Sequence, residues 1–348
     1  MSSNKALVFR KVPNGLPVSG EDLVVEQAPY NSSAACPAGG IVLQSLYASI
    51  DPYQRSRMRS PDVKSYSPPF ALGEPINGRG IAKVLGSESP AYKPGDLVIG
   101  FLPLQEFVVL NKDKIMMVRP LSNPLQLADI RDFLGALGIP GFTAYAGLYE
   151  IGQPRHGDTI FISAASGAVG QMVGQLAKLE GLRTIGSVGS DIKLDFITKE
   201  LGFDAGFNYK TETPEQALAR LAPEGLDIYY DNVGGEHLDA ALEHMKDFGR
   251  VIMCGTISEY NNSESEQAYP VRAYSRIFSK RLTVRGFVCS DKGIMDRYNA
   301  EHQEKVQKWV KEGVITTRIW EMEGIDNATE AFLALFSGTN LGKVVLKY

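Results

Sequence analysis

The segment from Ile160 to Val188 holds the residue spacing with the most chemical information in this chain. Its pattern predicts a buried strand, a turn of small residues, a helix and a second strand. Within the turn, Ala165, Gly167 and Gly170 follow the spacing of a phosphate-binding turn, with alanine in place of the usual first glycine. Such a turn directs backbone N–H groups and the positive end of a helix towards an anion. The segment therefore predicts a dinucleotide site that cradles a pyrophosphate.

The residues after the second predicted strand distinguish NAD from NADP. An NAD site usually has an acidic side chain about 20 residues past the glycines, where it binds the ribose 2′-hydroxyl. Here Ser187–Ser190 contains no acid, and Lys193 follows. A lysine favours the 2′-phosphate of NADP, which has a charge of about −1.5 to −2 at neutral pH. Asp191 is expected to be a first-turn helix acid that points into solvent behind a Ser190 N-cap.

The composition limits the classes of protein to which the chain can belong. Its 348 residues are enough for two domains, and 44% hydrophobic with 22% charged residues is typical of a soluble globular protein. The net charge of −4 argues against a general binder of nucleic acid or anionic membranes. No apolar run approaches the roughly 20 residues that cross a bilayer, and the N-terminus lacks the apolar core of a signal peptide. Because the three cysteines, Cys36, Cys254 and Cys289, are dispersed, we expect a reducing compartment and a cytoplasmic protein.

The first third of the chain predicts a β-rich, barrel-like unit, and the middle third predicts alternating strands and helices. Such alternation implies a doubly wound parallel sheet, here of six strands. The predicted strands are Ala6–Phe9, Leu23–Val25, Ile41–Tyr47, Ile81–Leu85, Leu97–Phe101 and Phe107–Leu110 in the first part, and Thr159–Ser163, Thr184–Val188, Ala205–Tyr209, Asp227–Tyr230, Arg250–Met253 and Leu282–Phe287 in the second.

The predicted helices connect these strands, and the C-terminal tail is expected to return to the first domain. Thr213 and Gln216 have the spacing of a capping box, and Gly202 and Gly249 are helix-ending glycines. We expect one domain over residues 1–128 with 314–348, and a second over 129–313. The predicted helices are Thr143–Glu150, Ser190–Leu201, Gly235–Phe248, Met295–Lys311 and Asp326–Phe336, and the tail strands are Val314–Met322 and Val344–Leu346.

An ordered set of motifs runs along nearly the whole chain. The motifs are Asp51–Tyr53, Gly73–Ile76, Pro140–Tyr145, Ala164–Gly170, Phe207–Lys210, Asp231–Gly235, Cys254–Asn261 and Asn340–Lys343. With them the chain resembles the zinc-independent branch of the medium-chain dehydrogenase/reductases, in particular the group of leukotriene B4 dehydrogenase, prostaglandin reductase and alkenal double-bond reductase. The resemblance implies an α/β protein in which a GroES-like β-barrel catalytic domain accompanies a Rossmann domain with a doubly wound parallel six-stranded sheet. Gln54 and Leu104 depart from the group's pattern, on the expected substrate side.

We expect no metal site. A catalytic zinc needs three protein ligands from Cys, His and carboxylate side chains. The positions similar to the zinc ligands of related enzymes hold Ser49–Asp51 and Gly73–Glu74. His237 and His244 lie on one predicted helix, where a surface location is expected.

Two tyrosines are the candidates for chemistry on a substrate. Without a metal, a hydrogen-bond donor must stabilise the charge that develops on a carbonyl oxygen. The resemblance implies that this donor is Tyr260, in the loop after the fifth strand of the parallel sheet; the alternative is that Tyr260 only shapes the pocket. Tyr53 is expected either to face the substrate or to pack at a strand exit.

The resemblance also implies a set of contacts with NADP(H). Tyr209 would be a second contact to the 2′-phosphate, and Cys254 a buried, unreactive thiol. Phe287 and Val288 would lie against the nicotinamide, and Asn340 would contact the cofactor amide or a phosphate. The expected cofactor residues are Pro52, Thr143, Ala165, Ser166, Gly167, Ala168, Val169, Gly189, Lys193, Tyr209, Asn232, Cys254, Tyr260, Phe287, Val288 and Asn340.

These residues favour NADPH-dependent reduction of the C=C bond of a small α,β-unsaturated aldehyde or ketone. Hydride would add to the β-carbon and a proton to the α-carbon. The alternatives are NADP-dependent oxidation of an allylic or secondary alcohol, quinone reduction, and cofactor binding without turnover, which the two tyrosines disfavour. We also expect a homodimer, because the sixth predicted strand would form a sheet edge.

Overall fold

The structure is a computed structural model that describes residues 4–31, 35–263 and 267–348. The chain forms two compact units. Unit 1 comprises Met1–Gln126, Ile319–Asn340 and Val344–Tyr348, and unit 2 comprises Leu127–Arg318 and Leu341–Lys343. The sequence predicted residues 127–128, 314–318 and 341–343 in the first domain, whereas they belong to unit 2. Residues 341–343 join unit 2 because Gly342 N donates to the Ser166 carbonyl at 3.0 Å and Lys343 N donates to the Arg318 carbonyl at 2.8 Å.

In the described chain, strands dominate the first 120 residues, and strands and α-helices alternate from Thr159 onwards. The strands are β1 Lys5–Phe9, β2 Leu23–Gln27, β3 Ile41–Ser49, β4 Asn77–Ser87, β5 Leu97–Pro103, β6 Phe107–Leu110, β7 Val118–Pro120, β8 Thr159–Ile162, β9 Arg183–Val188, β10 Ala205–Asn208, β11 Leu226–Asp231, β12 Met245–Met253, β13 Thr283–Gly286, β14 Ile319–Glu323 and β15 Lys343–Lys347. The helices are α1 Tyr53–Ser56, α2 Ile139–Gly147, α3 Gly170–Leu179, α4 Asp191–Asp195, α5 Pro214–Leu221, α6 Gly235–His244, α7 Ser275–Ser279, α8 Lys292–Lys311 and α9 Ala328–Ser337. None of the helices in the described ranges combines the length and the apolar composition that a bilayer crossing requires.

Unit 1 is built on a largely antiparallel sheet with the strand order β14-β15-β3-β4-β5-β7, and β6 also pairs with β3. Strands β1 and β2 form a separate antiparallel pair. Helix α9 contributes Ala331 and Phe332 to the same fully buried core as Leu7 and Phe9 of β1. Because α1 follows β3 so closely, this packed sheet fixes the position of Tyr53.

The described part of unit 2 contains a parallel sheet of six strands in the order β10-β9-β8-β11-β12-β13. The chain order reverses between β8 and β11, which is the doubly wound arrangement. Phe161 of β8 is fully buried and stacks on Phe207 and Tyr229, with ring centroids 5.9 and 4.9 Å away. Helices cover both faces of a parallel sheet, and its strands are therefore continuous apolar runs. The apolar runs of the sequence predicted this sheet for that reason. The predicted parallel sheet is confirmed.

The helix predicted over Gly235–Phe248 is wrong at its C-terminal end. Helix α6 ends at His244, and β12 begins at Met245, which pairs with Leu226 of β11. Phe248 adopts a φ of 62°, which is incompatible with a right-handed helix. Pairing with the sheet satisfies the backbone of these residues and overrides the helical pattern of the sequence.

The tail strand predicted over Val314–Met322 begins only at Ile319. The preceding backbone bonds to two glutamines of α3 instead of a neighbouring strand. Gln175 Oε1 accepts from Thr316 N and Gln171 Oε1 accepts from Arg318 N, each at 2.9 Å. The two side-chain amides take the place of a strand, which a local sequence pattern cannot reveal.

Candidate functional site

The carboxyl ends of the parallel strands lie along one edge of the unit 2 sheet, where ligands of such sheets bind. Gly189 follows β9, Tyr209 follows β10, and Asn232 follows β11. Cys254 follows β12 and Phe287 follows β13. All five are expected cofactor residues, so the strand topology places them in one row at this edge.

The turn after β8 is shaped by backbone conformation and by small side chains. Ala164 has a left-handed φ of 50°, and its carbonyl accepts a hydrogen bond from Gly167 N at 2.9 Å. A Cβ on Gly170, the first residue of α3, would lie 2.4 Å from that carbonyl oxygen, so only glycine fits. No side chain caps α3, and Gln171 N and Met172 N in its first turn donate to backbone carbonyls at 3.0 Å. The positive end of the helix dipole is what attracts an anion to the turn. The turn therefore fits a pyrophosphate.

Alanine at the first position of the turn has a packing explanation. Ala165 is fully buried, and its N donates to the Ser187 carbonyl of β9 at 3.0 Å. A Cβ on Gly186 of β9 would lie 2.7 Å from the Ala165 methyl group. The methyl group thus occupies space that a glycine on the neighbouring strand leaves open, and the fold accommodates the substitution.

A buried network that the sequence analysis missed fixes the start of the turn. Ser163 Oγ accepts from Asn232 N at 2.9 Å, and Asn232 Nδ2 donates to the Ser163 carbonyl at 2.8 Å. Asp231 Oδ1 accepts from the Tyr229 hydroxyl at 2.7 Å, whereas Asp231 Oδ2 is buried without a hydrogen-bond partner in the described chain. Burial raises the pKa of Asp231. The sequence feature that could have revealed this network is the position of Ser163 and Asp231, each at the end of an apolar strand.

A basic corner, formed by Lys193, Tyr209 and Lys210, lies at the ends of β9 and β10. Ser190 caps α4 by accepting a hydrogen bond from Lys193 N at 3.4 Å. Burial, and then the neighbouring charge of Lys210, lower the pKa of Lys193. The Tyr209 hydroxyl lies 2.8 Å from the position of a Cβ on Gly189, so glycine lets the ring lie against the end of β9. Two adjacent cations and a phenol are a donor set that fits a phosphate dianion.

Asp191 lies next to the basic corner, and its prediction needs a correction. The residue is exposed, but its carboxylate does not simply point into solvent, because it accepts a hydrogen bond from Asn208 Nδ2 at 2.9 Å. Asn208 Oδ1 also accepts from Lys210 N at 3.1 Å. Asn208 thus binds the acid through its side-chain amide while it shapes the turn that presents Lys210.

Tyr260 lies in the loop after β12, which is hydrogen-bonded to the loop after β11. Ile257 N donates to the Asn232 carbonyl at 3.3 Å, and Ser258 Oγ donates to the next carbonyl at 2.6 Å. The Tyr260 hydroxyl lies 3.0 Å from the position of a Cβ on Gly255. Glycine at this position therefore lets the phenol lie close to the backbone at the carboxyl edge of the sheet.

The remaining expected cofactor residues of unit 2 also have packing roles. Burial raises the pKa of the Cys254 thiol to about 12, which agrees with an unreactive thiol. The Thr143 carbonyl accepts from the fully buried Tyr230 hydroxyl at 2.8 Å. Phe287 packs in an apolar cluster with side chains of α2 and α8. The Val288 carbonyl accepts a hydrogen bond at 2.9 Å from Asp291 N, directly before α8.

In unit 1, Tyr53 begins α1 directly after Pro52. Its hydroxyl is buried without a hydrogen-bond partner in the described chain. Burial raises the pKa of Tyr53 most, and the Asp51 carboxylate raises it further. A buried polar group without a partner is costly, and a ligand that accepts its hydrogen bond removes that cost. Pro52 and Asn340 are the expected cofactor residues of unit 1, and Asn340 is buried.

Known proteins match the chain along its whole length. Residues 5–118 match a family profile described as the N-terminal domain of oxidoreductase, and residues 168–307 match one described as zinc-binding dehydrogenase. The chain is 48% identical over 347 residues to "NADP-dependent oxidoreductase RED1" of Cochliobolus heterostrophus, covering 100% of this chain and 98% of that protein. The chain belongs to the medium-chain dehydrogenase/reductase family.

Two further relatives refine this assignment. The "2-alkenal reductase (NADP(+)-dependent)" of Nicotiana tabacum is 38% identical over 348 residues, covering 99% of this chain and 97% of that protein. The crystal structure of CurA in complex with NADPH from Vibrio vulnificus has a TM-score of 0.88 and 33% identity, covering 99% of this chain and 98% of that chain. These similarities support the zinc-independent group of medium-chain dehydrogenase/reductases, as the motifs predicted.

In this medium-chain dehydrogenase/reductase, His237 and His244 were predicted to lie on a helix surface, and the structure places them differently. His237 is buried, stacks on Phe161, and has no hydrogen-bond partner for Nε2 in the described chain. His244 is only partly exposed and lies 3.1 Å from a Glu215 carboxylate oxygen. The sequence predicted the helix but not that its His237 face packs on the sheet. Among the described residues, no three His, Cys, Asp or Glu side chains are grouped to hold a metal ion.

The two departures from the group's motifs make contacts within unit 1, and their expected location on the substrate side stays a prediction. Gln54 is fully buried, and its Oε1 accepts from Asp51 N at 2.9 Å while its Nε2 donates to the Asn77 carbonyl at 3.2 Å. Leu104 is fully buried in the core beneath α9. Both side chains therefore stabilise unit 1 through interactions within it.

Proposed function

We propose that this protein is an NADPH-dependent reductase of the C=C bond of α,β-unsaturated aldehydes or ketones. The proposal rests on the position of Tyr260, whose phenol lies against Gly255 at the carboxyl edge of the parallel sheet. The similarity to a tobacco 2-alkenal reductase supports it. Alcohol oxidation and quinone reduction are alternative outcomes of the substrate test.

The cofactor is NADP(H). The turn from Ala165 to Val169, with Ser166, Gly167 and Ala168, would hold its pyrophosphate, and the basic corner would hold its 2′-phosphate. When bound, the reduced cofactor supplies the hydride for the substrate β-carbon. The name of the 48% identical fungal oxidoreductase and the NADPH complex of CurA support this assignment. Two lysines and a tyrosine at the end of β9 and β10 provide the physical basis for preferring NADPH over NADH.

The reaction that we propose adds a hydride to the β-carbon and a proton, taken from solvent water, to the α-carbon. As the C–H bond forms at the β-carbon, the π electrons move towards the carbonyl and leave negative charge on its oxygen. Tyr260 donates a hydrogen bond to that oxygen and stabilises the enolate, since a donor aimed at developing charge lowers the barrier. We propose Tyr53 as a second hydrogen-bond donor to the substrate, because its buried hydroxyl has no partner in the described chain.

Replacing Tyr260 tests the proposal. A hydrogen-bond donor to a developing oxyanion contributes about 10²–10³ in kcat, so Tyr260→Phe is expected to lower kcat for an enone by that factor. The rate is measured as NADPH oxidation with enals, enones, quinones and allylic alcohols, together with analysis of the products. Tyr274→Phe is the control, because Tyr274 is an exposed tyrosine of the same unit. Unchanged kcat in Tyr260→Phe would remove this residue from the chemistry.

A further inference from the structure

The ring of Tyr209 is 43% exposed and lies against two neighbours at the end of β10. Its hydroxyl lies 2.8 Å from the position of a Cβ on Gly189. Its ring also meets the imidazole of His237, with centroids 5.4 Å apart and an angle of 79° between the planes. The backbone N of Tyr209 donates to the Val188 carbonyl at 3.0 Å. These contacts restrict the orientation of the ring, although much of its surface faces solvent.

His237 connects Tyr209 to a stack of buried aromatic rings on the sheet. Its imidazole is nearly parallel to Phe161 and Phe207, with angles of 8° and 18° and centroids 6.3 and 6.5 Å away. Phe161 in turn stacks on the buried ring of Tyr229, with centroids 4.9 Å apart. Side chains in such a close-packed interior have little freedom to move. His237 therefore anchors a partly exposed ring to the packed core of the sheet.

The position of His237 is itself determined by the start of α6. His237 is the third residue of this helix and is only 6% exposed. The loop before the helix is closed by Asp231, whose Oδ1 accepts from Val233 N at 3.0 Å and from Gly234 N at 2.8 Å. The imidazole thus has a defined place beside Tyr209.

The imidazole of His237 contributes a planar surface and no charge. Burial lowers the pKa of His237 to about 4, so the ring is neutral at neutral pH. Its contact with Tyr209 is edge-to-face, the arrangement that aromatic pairs prefer at centroid distances of about 4.5–7 Å. The positive charge of the basic corner therefore comes from Lys193 and Lys210.

We propose that His237 is a positioning residue for NADPH: its ring holds Tyr209 in the orientation in which the hydroxyl donates to the 2′-phosphate. This inference rests on the proposed contact between Tyr209 and the 2′-phosphate and is independent of the reaction at the nicotinamide. A side chain that is oriented before binding loses less rotamer freedom when the ligand binds. Because NADH lacks the 2′-phosphate, the orientation of Tyr209 adds to the affinity for NADPH alone.

Replacing the imidazole with a side chain that has no ring tests the inference. His237→Met fills much of the same space with a flexible apolar chain. The loss of one aromatic pair corresponds to a change of about 3- to 10-fold in a dissociation constant. We expect the dissociation constant of NADPH to rise by that factor in fluorescence titrations, while that of NADH stays unchanged. His237→Leu should behave in the same way, and thermal unfolding shows that each variant is folded.

His237→Phe is the conservative variant. It restores a planar ring, and Nε2 of His237 has no hydrogen bond in the described chain that the change would remove. This variant should bind NADPH nearly as tightly as the wild type. Phe336→Leu is the matched control, because Phe336 meets Phe332 at the same centroid distance of 5.4 Å and at 61°, but in unit 1. The control should leave both dissociation constants unchanged.

A double-mutant cycle separates positioning from a general effect on the fold. Tyr209→Phe removes the hydroxyl and is expected to raise the dissociation constant of NADPH about 10- to 100-fold. The addition of His237→Met to Tyr209→Phe should then have little further effect, because no hydroxyl remains to be positioned.

The outcomes separate this inference from the assignments on which it rests. Equal rises in the dissociation constants of NADPH and NADH in His237→Met would give His237 a purely structural role and overturn the inference. Effects of His237→Met and Tyr209→Phe that multiply would also overturn it, because His237 would then act without the hydroxyl. If Tyr209→Phe binds NADPH as tightly as the wild type, the phosphate contact of Tyr209 is wrong and the inference fails with it. C=C reduction would stand in each case, because Tyr260 carries that proposal.

Discussion

At the residue scale, we propose that Lys193 sets the preference for NADPH over NADH. The change Lys193→Ala removes one charge-assisted contact to the 2′-phosphate, worth about 1.5–3 kcal/mol. We expect the dissociation constant of NADPH to rise roughly 10- to 100-fold, while that of NADH, which lacks this phosphate, stays nearly the same. Fluorescence titration of both cofactors measures the ratio. Lys199→Ala is the control, since Lys199 is exposed and pairs with Asp195.

An unchanged ratio of the NADPH and NADH dissociation constants in Lys193→Ala would contradict the assignment of the basic corner. The prediction of Lys193 came from strand ends and glycine spacing, which are local features, whereas that of Tyr209 came from the resemblance to the family. Sequence reasoning missed Ser163 and Asp231, whose network depends on two strands that are adjacent in space but distant in the chain. Their burial and their bonds follow from sheet order, which the motif alone does not contain.

At the scale of elements, the small residues of α3 determine how closely this helix approaches its neighbours. A Cβ on Gly174 would lie 2.0 Å from the Phe203 ring, whereas a Cβ on Gly293 of α8 would meet no atom within 4 Å. We expect Gly174→Ala to lower the free energy of unfolding by about 1–3 kcal/mol through overpacking. Gly293→Ala should not lower it, because alanine has the higher helix propensity. Thermal unfolding of the two variants measures the difference.

Equal stability of Gly174→Ala and the wild type would show that α3 can move away from Phe203 at no cost.

The boundaries of the helices and strands are harder to predict from sequence than their existence. The capping box at Thr213 begins α5 as predicted, because capping depends on residues three apart. The end of α6 at His244 and the late start of β14 could not be predicted, because long-range bonds with Leu226 and with two glutamines of α3 decide them.

At the scale of the whole molecule, buried imidazoles couple stability to pH. Burial lowers the pKa of His237 and His302 to about 4, below the usual value of about 6.5 in an unfolded chain. Between pH 6.5 and 4 the unfolded chain binds protons that the folded chain does not. The free energy of unfolding should therefore fall as the pH decreases through this window, by up to about 3 kcal/mol for each histidine.

The change His237→Phe isolates one of these contributions. The variant should lose less stability than the wild type between pH 6.5 and 4, as measured by the pH dependence of the unfolding midpoint. His156→Gln, a change at an exposed position, should keep the slope of the wild type. Identical slopes for His237→Phe and the wild type would mean that His237 becomes protonated in the folded state without cost.

The exposed edge of the parallel sheet predicts how two copies of the chain would associate. All residues of β13 are exposed, and this strand pairs with β12 on one side. An exposed edge strand is a template for pairing with a second copy. We expect a homodimer in size-exclusion chromatography with light scattering. Val284→Asp should shift it towards the monomer, because like charges would face each other near the two-fold axis. A monomeric wild-type protein would contradict this prediction.

The central claim is that the protein reduces a C=C bond, and the identity of the product tests it most directly. An acyclic enone is incubated with a stoichiometric amount of NADPH, and the product is identified by nuclear magnetic resonance. We expect one saturated ketone for each NADPH oxidised, with the new hydrogen from the hydride at the β-carbon. An allylic alcohol as the product, or NADPH oxidation only with quinones, would contradict it.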